Sequence, residues 1–511
     1  MTEPESGSVS GMRTRPASSL DLAGELRSRL ARGEWSGGEK LPSIRRMSEE
    51  TGLHRLTVLK AYTRLKNEGL IEAREKSGYY DAAAFASADG RSRGGGFAAG
   101  GRAAETGTGV TGYGAAPGEP ELPSLLGELH SRDCRYQLSQ AQIDPLLLPN
   151  SYLAEQAKHV FDLYPRVLGT YAPLRGDDEL IGAIGRYLEE DCGFAPEPEE
   201  LLVIGGAQQG IHLAAEALVR PGDAVLIERP SYSAAIEIFE HRSARIVPVD
   251  IYPDGYRLDE LEQLMRQYRP VLFYLNPTYH NPTGYCLPPE QRKRLADLAE
   301  RYDCILLEDD PFRDIYFGPP PPLPIYAYDT SGHTIYLRSF SKYIFPGLRV
   351  GCAAAPAHLM RKLLEAKARS GGGTPLLNQK VFVHHFRSER SRQHLHKLRT
   401  ALLLRKEAME RALRGSGWRW ETPKGGLNLW IELPPGLSPR RLLADSLAGG
   451  PSPAGAPDAK PETVSFVPGS FFDPSGRSDN RIRLSYSLLS ERLIAEGVAL
   501  LLRCADKARR S

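Results

Sequence analysis

Ser339-Phe340-Ser341-Lys342 follows the short apolar run Thr334–Leu337, and Arg349 stands seven residues beyond the lysine. A lysine amine can form a Schiff base with an aldehyde cofactor when its neighbours lower its pKa. Hydroxyls just before it can hold a phosphate, and an arginine offers that phosphate a two-pronged fork. Alone the tetrapeptide is a weak signal, because a lysine in such a stretch is most often a surface residue in a loop. What surrounds it decides the reading.

Upstream, Glu308-Asp309-Asp310-Pro311 ends the apolar run Cys304–Leu307. A carboxylate there can pair with a protonated pyridine nitrogen and make the ring an electron sink. Asp-Asp by itself is also compatible with an acidic loop or a metal site. His280-Asn281-Pro282-Thr283-Gly284 follows the run Val271–Leu275. An asparagine amide held in a rigid turn can donate to a phenolic oxygen, although Asn-Pro favours turns anyway. Gly205-Gly206-Ala207-Gln208-Gln209-Gly210 joins the run Leu201–Ile204 to a helix over Gly210–Arg220, where Ile211, Ala214, Ala215 and Leu218 share one face. Free amides at a helix start form an anion site, and glycine-rich turns also occur for packing alone. With Ala224–Ile227, these runs alternate with amphipathic helices, a pattern that predicts an α/β domain with a largely parallel sheet covered on both faces. Ligands of such sheets bind at the carboxyl ends of the strands, where each of these motifs falls.

Taken together, the motifs resemble the fold-type I aminotransferases over roughly Tyr152 to Arg503. The resemblance implies a large and a small subdomain and the cofactor pyridoxal 5'-phosphate (PLP), with Lys342 and Asp309 as the catalytic pair. It implies a phosphate held by Ala207, Gln208, Ser339 and Arg349, and a ring stacked on Tyr232. Asn281 would donate to the phenolic oxygen, and Tyr171 would reach the phosphate across a dimer interface. Arg483, in Arg481-Ile482-Arg483-Leu484-Ser485, would clamp the carboxylate of a substrate or effector. One residue departs from the family pattern. Phe312 stands where relatives have a tyrosine that donates to the phenolic oxygen, which puts efficient catalysis in doubt but not cofactor binding.

The N-terminal part reads differently. Leu22, Leu26 and Leu30 recur every four residues, Pro42-Ser43 precedes a short helix carrying Ile44 and Met47, and Gly52 ends it. Val58, Ala61, Tyr62 and Leu65 give a third helix one apolar face, closed by Gly69. Leu70–Ala73 and Gly78–Asp81 suggest two short strands around Glu75-Lys76-Ser77. Leu41-Pro42-Ser43-Ile44-Arg45, Thr57-Val58 and Ala61-Tyr62 resemble the GntR-type winged helix-turn-helix. The resemblance implies that the third helix enters a DNA major groove. Arg55 at its start is the expected base contact, since recognition helices read with their N-terminal residues. Arg45, Thr57 and Lys76 would hold the DNA backbone. The order of reader and aminotransferase-like domain resembles the MocR/GabR-type regulators, which are dimers.

The expected organisation is therefore a disordered N-terminus (1–19), a mostly α winged helix-turn-helix (20–81), a flexible Gly/Ala/Ser-rich linker (82–128) and an α/β PLP-binding domain (129–511). Gly449 to Pro461 reads as a surface insertion. A net charge of +2 over 511 residues requires any DNA contact to come from a local basic patch. The six cysteines are scattered without CxxC spacing, as expected of reduced cytoplasmic thiols rather than a zinc site or disulfide framework. No signal peptide or membrane span is expected. The expected function is a PLP-dependent transcriptional regulator that binds double-stranded DNA and senses an amine, an amino acid or PLP. The alternative is a working aminotransferase with an appended DNA-binding domain.

Overall fold

The computed structural model describes residues 19–35, 39–67, 70–74, 78–81, 126–386, 388–449, 462–475 and 480–510. The expectations for residues 1–18, for linker residues 82–125, for Gly69 and Lys76, and for nearly all of the 449–461 insertion lie outside the described residues. The chain divides into two compact units, Met1–Thr108 and Gly109–Ser511.

The first unit contains α1 (Ser19–Ala31), α2 (Ile44–Thr51), α3 (Arg55–Asn67) and an antiparallel pair, β1 (Ile71–Arg74) and β2 (Gly78–Asp81). Leu22, Leu26, Met47, Val58, Ala61, Tyr62 and Leu65 are buried together. The Tyr62 hydroxyl donates to the Pro42 carbonyl at 2.7 Å, so the ring is buried without stranding its polar end. Ser43 caps α2 by accepting from the Arg46 amide at 3.2 Å. Gly52 ends that helix in the left-handed region (φ 75°), its amide bonded to the Ser48 carbonyl. A residue with a Cβ is disfavoured there, and the resulting short turn through Leu53 and His54 is what starts α3 at Arg55.

In the second unit a short helix (Leu126–Ser131) precedes the short strand β3 (Tyr136–Gln137). A seven-stranded sheet follows, built from β4 (Leu201–Ile204), β5 (Ala224–Arg229), β6 (Arg245–Asp250), β7 (Leu272–Leu275), β8 (Ile305–Asp310), β9 (Thr334–Ser339) and β10 (Gly351–Ala354). The strand order is β4-β10-β9-β8-β7-β5-β6, with β10 antiparallel to both neighbours and every other pairing parallel. Side chains alternate across it as the pleat requires. Leu272 and Tyr274 pack with Ala207–Leu218, Ser233–His241 and Ala357–Arg369 on one face, while Phe273 and Leu275 pack with Leu258–Tyr268 and Pro289–Tyr302 on the other. The smaller, antiparallel sheet comprises β11 (Arg419–Trp420), β12 (Asn428–Glu432), β14 (Val467–Pro468) and β15 (Arg481–Ser485), in the order β11-β12-β15-β14, while β13 (Val464–Ser465) pairs with β3.

The apolar run Cys304–Leu307 understates β8, which continues through Glu308, Asp309 and Asp310 while still paired with β9. Three buried carboxyls can sit in a strand because each finds a donor. Glu308 accepts from the amides of Ile325 and Tyr326, Asp309 from Tyr274, and Asp310 from Tyr336. Among the described residues no helix is long and apolar enough to cross a membrane, and no group of His, Cys, Asp and Glu is arranged to hold a metal ion.

Candidate cofactor site and DNA-facing surface

A cavity of about 450 Å³ opens at the carboxyl ends of the parallel strands. Ala207, Gln208, Tyr232, Asn281, Asp309, Ser339, Lys342 and Arg349 all line it. These expected cofactor contacts come from separate turns, brought together because each turn leaves the same end of the sheet.

Lys342 lines this cavity and is half-buried. Burial, with Arg483 and Arg349 nearby, lowers its pKa to about 8 against the opposing pull of Asp309. Near neutral pH an appreciable fraction of the amine is therefore unprotonated, which a nucleophilic lysine needs. Asp309 is pushed up to about 7 by burial, with the Tyr274 hydrogen bond opposing. Its Oδ2 accepts from the Tyr274 hydroxyl at 2.8 Å, whereas Oδ1 is buried and has no partner. An orphaned carboxylate oxygen at this depth is costly, and a pyridinium N–H is a donor that would satisfy it.

The anion end is equally defined. Gly206 has φ 98° and precedes the helix Ala207–Leu218, and a Cβ built on it would stand 2.7 Å from Arg349 Nη2. Only a glycine lets that guanidinium lie against the turn. The helix start and the arginine then form one cradle of N–H donors. Asn281 turns its Oδ1 toward Arg483 Nη1 (3.0 Å) and Asn428 Nδ2 (3.4 Å). Those bonds leave its Nδ2 as the end able to donate. Phe312 is buried and lines the cavity with no polar atom. Tyr171 is fully exposed in the single chain and is not part of the lining.

Arg483 is also fully buried, and burial lowers its pKa to about 10. It donates to Asn281 and, through Nη2, to the Ser139 carbonyl at 2.6 Å. Its guanidinium carbon lies 4.9 Å from the Phe472 ring centre, and its Nε is buried without an acceptor.

Several bracing residues have no signature in the sequence. The Asn276 side chain donates to the Asp309 carbonyl and accepts from the Asn281 amide at 2.7 Å, tying two of the motifs together. The Asn276 amide in turn donates to Glu228 at 2.8 Å. Behind Lys342, the buried Arg338 donates to the Asp310 carbonyl (2.6 Å), to Asp314 (2.6 Å) and to the hydroxyls of Tyr343 (3.0 Å) and Tyr187 (3.1 Å). Arg338 thus fixes the residue next to Lys342 relative to the strand that carries Asp309.

In the first unit, Arg55 is exposed at the first position of α3, with exposed Lys60, Arg64 and Lys66 farther along the helix. Thr57 is half-buried. Arg45 is exposed on α2 and pairs with Glu49 at 3.1 Å. A surface pair of this kind is worth little, so it does not keep Arg45 from a phosphate.

Comparison with known proteins gives both units a family. "Aminotransferase class I and II" matches residues 136–448, and "Bacterial regulatory proteins, gntR family" matches residues 19–80. The chain is 35% identical to a 2-aminoadipate transaminase of Thermus thermophilus over 69% of this chain and 86% of the relative. It is 26% identical to the uncharacterized HTH-type transcriptional regulator YdfD of Bacillus subtilis over 93% of both chains. The α-aminoadipate aminotransferase LysN of Thermus thermophilus, solved with N-(5'-phosphopyridoxyl)-L-leucine, superposes with a TM-score of 0.67 at 32% identity, covering 73% of this chain and 92% of LysN. The chain therefore belongs to the class I and II aminotransferase family, in the MocR-type arrangement that places a gntR-family helix-turn-helix ahead of the aminotransferase fold.

Proposed function

We propose that this protein is a PLP-dependent transcriptional regulator that acts in the cytoplasm, and that its aminotransferase-like unit senses an amine, an amino acid or PLP itself. The observation that carries this reading is the convergence of Lys342, the orphaned Asp309 Oδ1 and the Gly206–Arg349 cradle in one cavity, on a chain that also carries a helix-turn-helix.

The residues present fit PLP. When bound, PLP supplies an aldehyde that links to amines and a pyridinium ring that withdraws electrons. Lys342 would hold it covalently, Asp309 would accept from its ring nitrogen, and Tyr232 would stack on the ring. Arg349, Ser339 and the Ala207–Gln208 turn would hold its phosphate. Asn281 would donate to its phenolic oxygen, and Arg483 would bind the carboxylate of an incoming amino acid. Tyr171, fully exposed in the single chain, suits a role in a homodimer, where it would meet the phosphate bound by a second copy. On the DNA side, Arg55 would read a base, while Arg45, Thr57 and Lys76 would hold the backbone. Residues 82–128 would serve as the tether between the two units.

Phe312 favours sensing over turnover. Sustained transamination needs proton transfer at the substrate carbon, release of a keto acid and a second half-reaction. The cavity wall lacks one donor that would tune such chemistry. With an amino acid and a keto-acid acceptor both in excess, the purified protein is expected to release keto acid slowly or not at all. Rapid multiple turnovers, measured as keto acid per protein over time, would favour the aminotransferase alternative instead.

A further inference from the structure

We propose that His130 is a positioning residue that links the cofactor cavity to the chain leading toward the reader, by taking over the Ser139 carbonyl when a ligand carboxylate draws Arg483 away from it. The proposal rests on the amine sensing proposed for the site and adds how that sensing is read out.

The helix Leu126–Ser131 is the first described element of the second unit, so the chain coming from the helix-turn-helix enters that unit through it. Leu129 anchors the helix in the core with Leu138, Trp430 and Leu484. Three hydrogen bonds then meet at His130. Its carbonyl accepts from Gln140 Nε2 at 2.7 Å and from Gln137 Nε2 at 3.2 Å, and its ring Nε2 lies 3.3 Å from the Ser139 carbonyl. From there the chain passes into the cavity. The Ala141 carbonyl is 3.5 Å from Lys342 Nζ, and Gln142 and Ile143 line the wall.

The Ser139 carbonyl is shared. Arg483 Nη2 donates to it at 2.6 Å, and His130 is its second, longer partner. A carbonyl only accepts, so His130 Nε2 carries the hydrogen in this contact. Burial and Arg483 push the His130 pKa down to about 4, so the ring is a neutral donor near neutral pH.

An arriving carboxylate changes the shares. Arg483 holds two neutral oxygens, Asn281 Oδ1 and the Ser139 carbonyl. Hydrogen bonds between charged groups are roughly twice as strong as neutral ones, so the anion draws the guanidinium toward itself. Ser139 is fully buried, and a buried carbonyl left without a donor is costly. His130 is the donor already in place. Closing its 3.3 Å gap pulls the end of the helix onto Ser139 and holds the entering chain more tightly. An amine without a carboxylate reaches Lys342 but leaves Arg483 on Ser139.

The test uses the cofactor-loaded full chain and three matched pairs of probes. These are leucine, phenylalanine and lysine, each beside the amine it becomes without its carboxylate: 3-methylbutylamine, 2-phenylethylamine and pentane-1,5-diamine. Among probes that change the visible spectrum, the amino acids are expected to slow amide exchange across residues 126–131, and the amines to leave it unchanged. His130→Ala is expected to raise the half-saturating concentration of the amino acids about fivefold, the worth of one modest hydrogen bond, and to leave that of the amines where it was. It is also expected to remove most of an amino-acid effect on operator affinity that is roughly 5- to 150-fold in the parent. His130→Gln places an amide N–H near the lost ring donor and is expected to restore both. Equal exchange protection by amino acids and amines in the parent, or full operator coupling in His130→Ala, would overturn the proposal while leaving amine sensing intact. So would a change in half-saturation common to amino acids and amines, or one that His130→Gln fails to restore. A loaded chain whose spectrum responds to none of the six probes would overturn the amine-sensing reading, and this proposal with it.

Discussion

Lys342→Ala is expected to abolish both the visible absorbance of the purified protein and the covalent trapping of cofactor by borohydride. Among the described residues Lys342 is the one lysine that lines the cavity with Asp309, Ser339 and Arg349, and its pKa is lowered to about 8 by burial and by Arg483 and Arg349. A strong internal control exists elsewhere in the chain. Lys367 is buried and is also lowered to about 8 by burial, but it donates to the Val203 carbonyl at 2.6 Å and is not part of the cavity wall. A depressed pKa alone therefore does not select the cofactor lysine; the surrounding cradle does. Mass spectrometry of the reduced protein should find the adduct on the peptide containing Lys342. An adduct on Lys367, or retained absorbance in Lys342→Ala, would show that the site has been misplaced.

The second large effect is expected at the reader. Arg55→Ala should weaken binding to a selected operator and relax preference at one base position, by roughly 1–3 kcal/mol for a lost two-pronged base contact. Arg55 is exposed on the first turn of α3, the part of a recognition helix that reaches base edges. Arg45→Ala should act differently. Arg45 stands on α2 and would meet a phosphate, so its loss should weaken all sequences alike and flatten the salt dependence. Removing Arg45 also frees Glu49 from its partner, which adds repulsion from DNA in the same direction. Affinities for operator and unrelated DNA at several salt concentrations separate the two patterns. Both variants binding like the parent would place the reading face elsewhere.

Much of this was legible in the sequence, for identifiable reasons. Buried parallel strands are continuous apolar runs, and Leu272–Leu275 is one, parallel to both of its neighbours. Gly52 sits where only a left-handed cap fits, so the end of α2 could be read from one residue. Motifs at strand ends converge because a parallel sheet brings its carboxyl ends to one edge, which is how turns around Gly206, Asn281, Asp309 and Lys342 reach one cavity.

Other features were not legible because they depend on tertiary pairing. Asp309 and Asp310 read as the end of a strand, but hydroxyls from neighbouring strands let the strand run through them. Tyr274 looked like one more apolar residue, yet its hydroxyl bonds Asp309. Arg338 has the composition of a surface residue, and only the approach of Asp314, Tyr187 and Tyr343 makes its burial tolerable. The neutral acceptors of the buried Arg483, Asn281 and the Ser139 carbonyl, likewise meet it only in three dimensions.

The central claim is that one chain couples an occupied cofactor cavity to operator binding. Its most direct test is the operator affinity of one cofactor-loaded preparation, measured with and without a saturating amine that changes its visible spectrum. A coupling of about 1–3 kcal/mol, or roughly 5- to 150-fold in affinity, is the expected result. An operator affinity unchanged by that amine and by removal of the cofactor would contradict it.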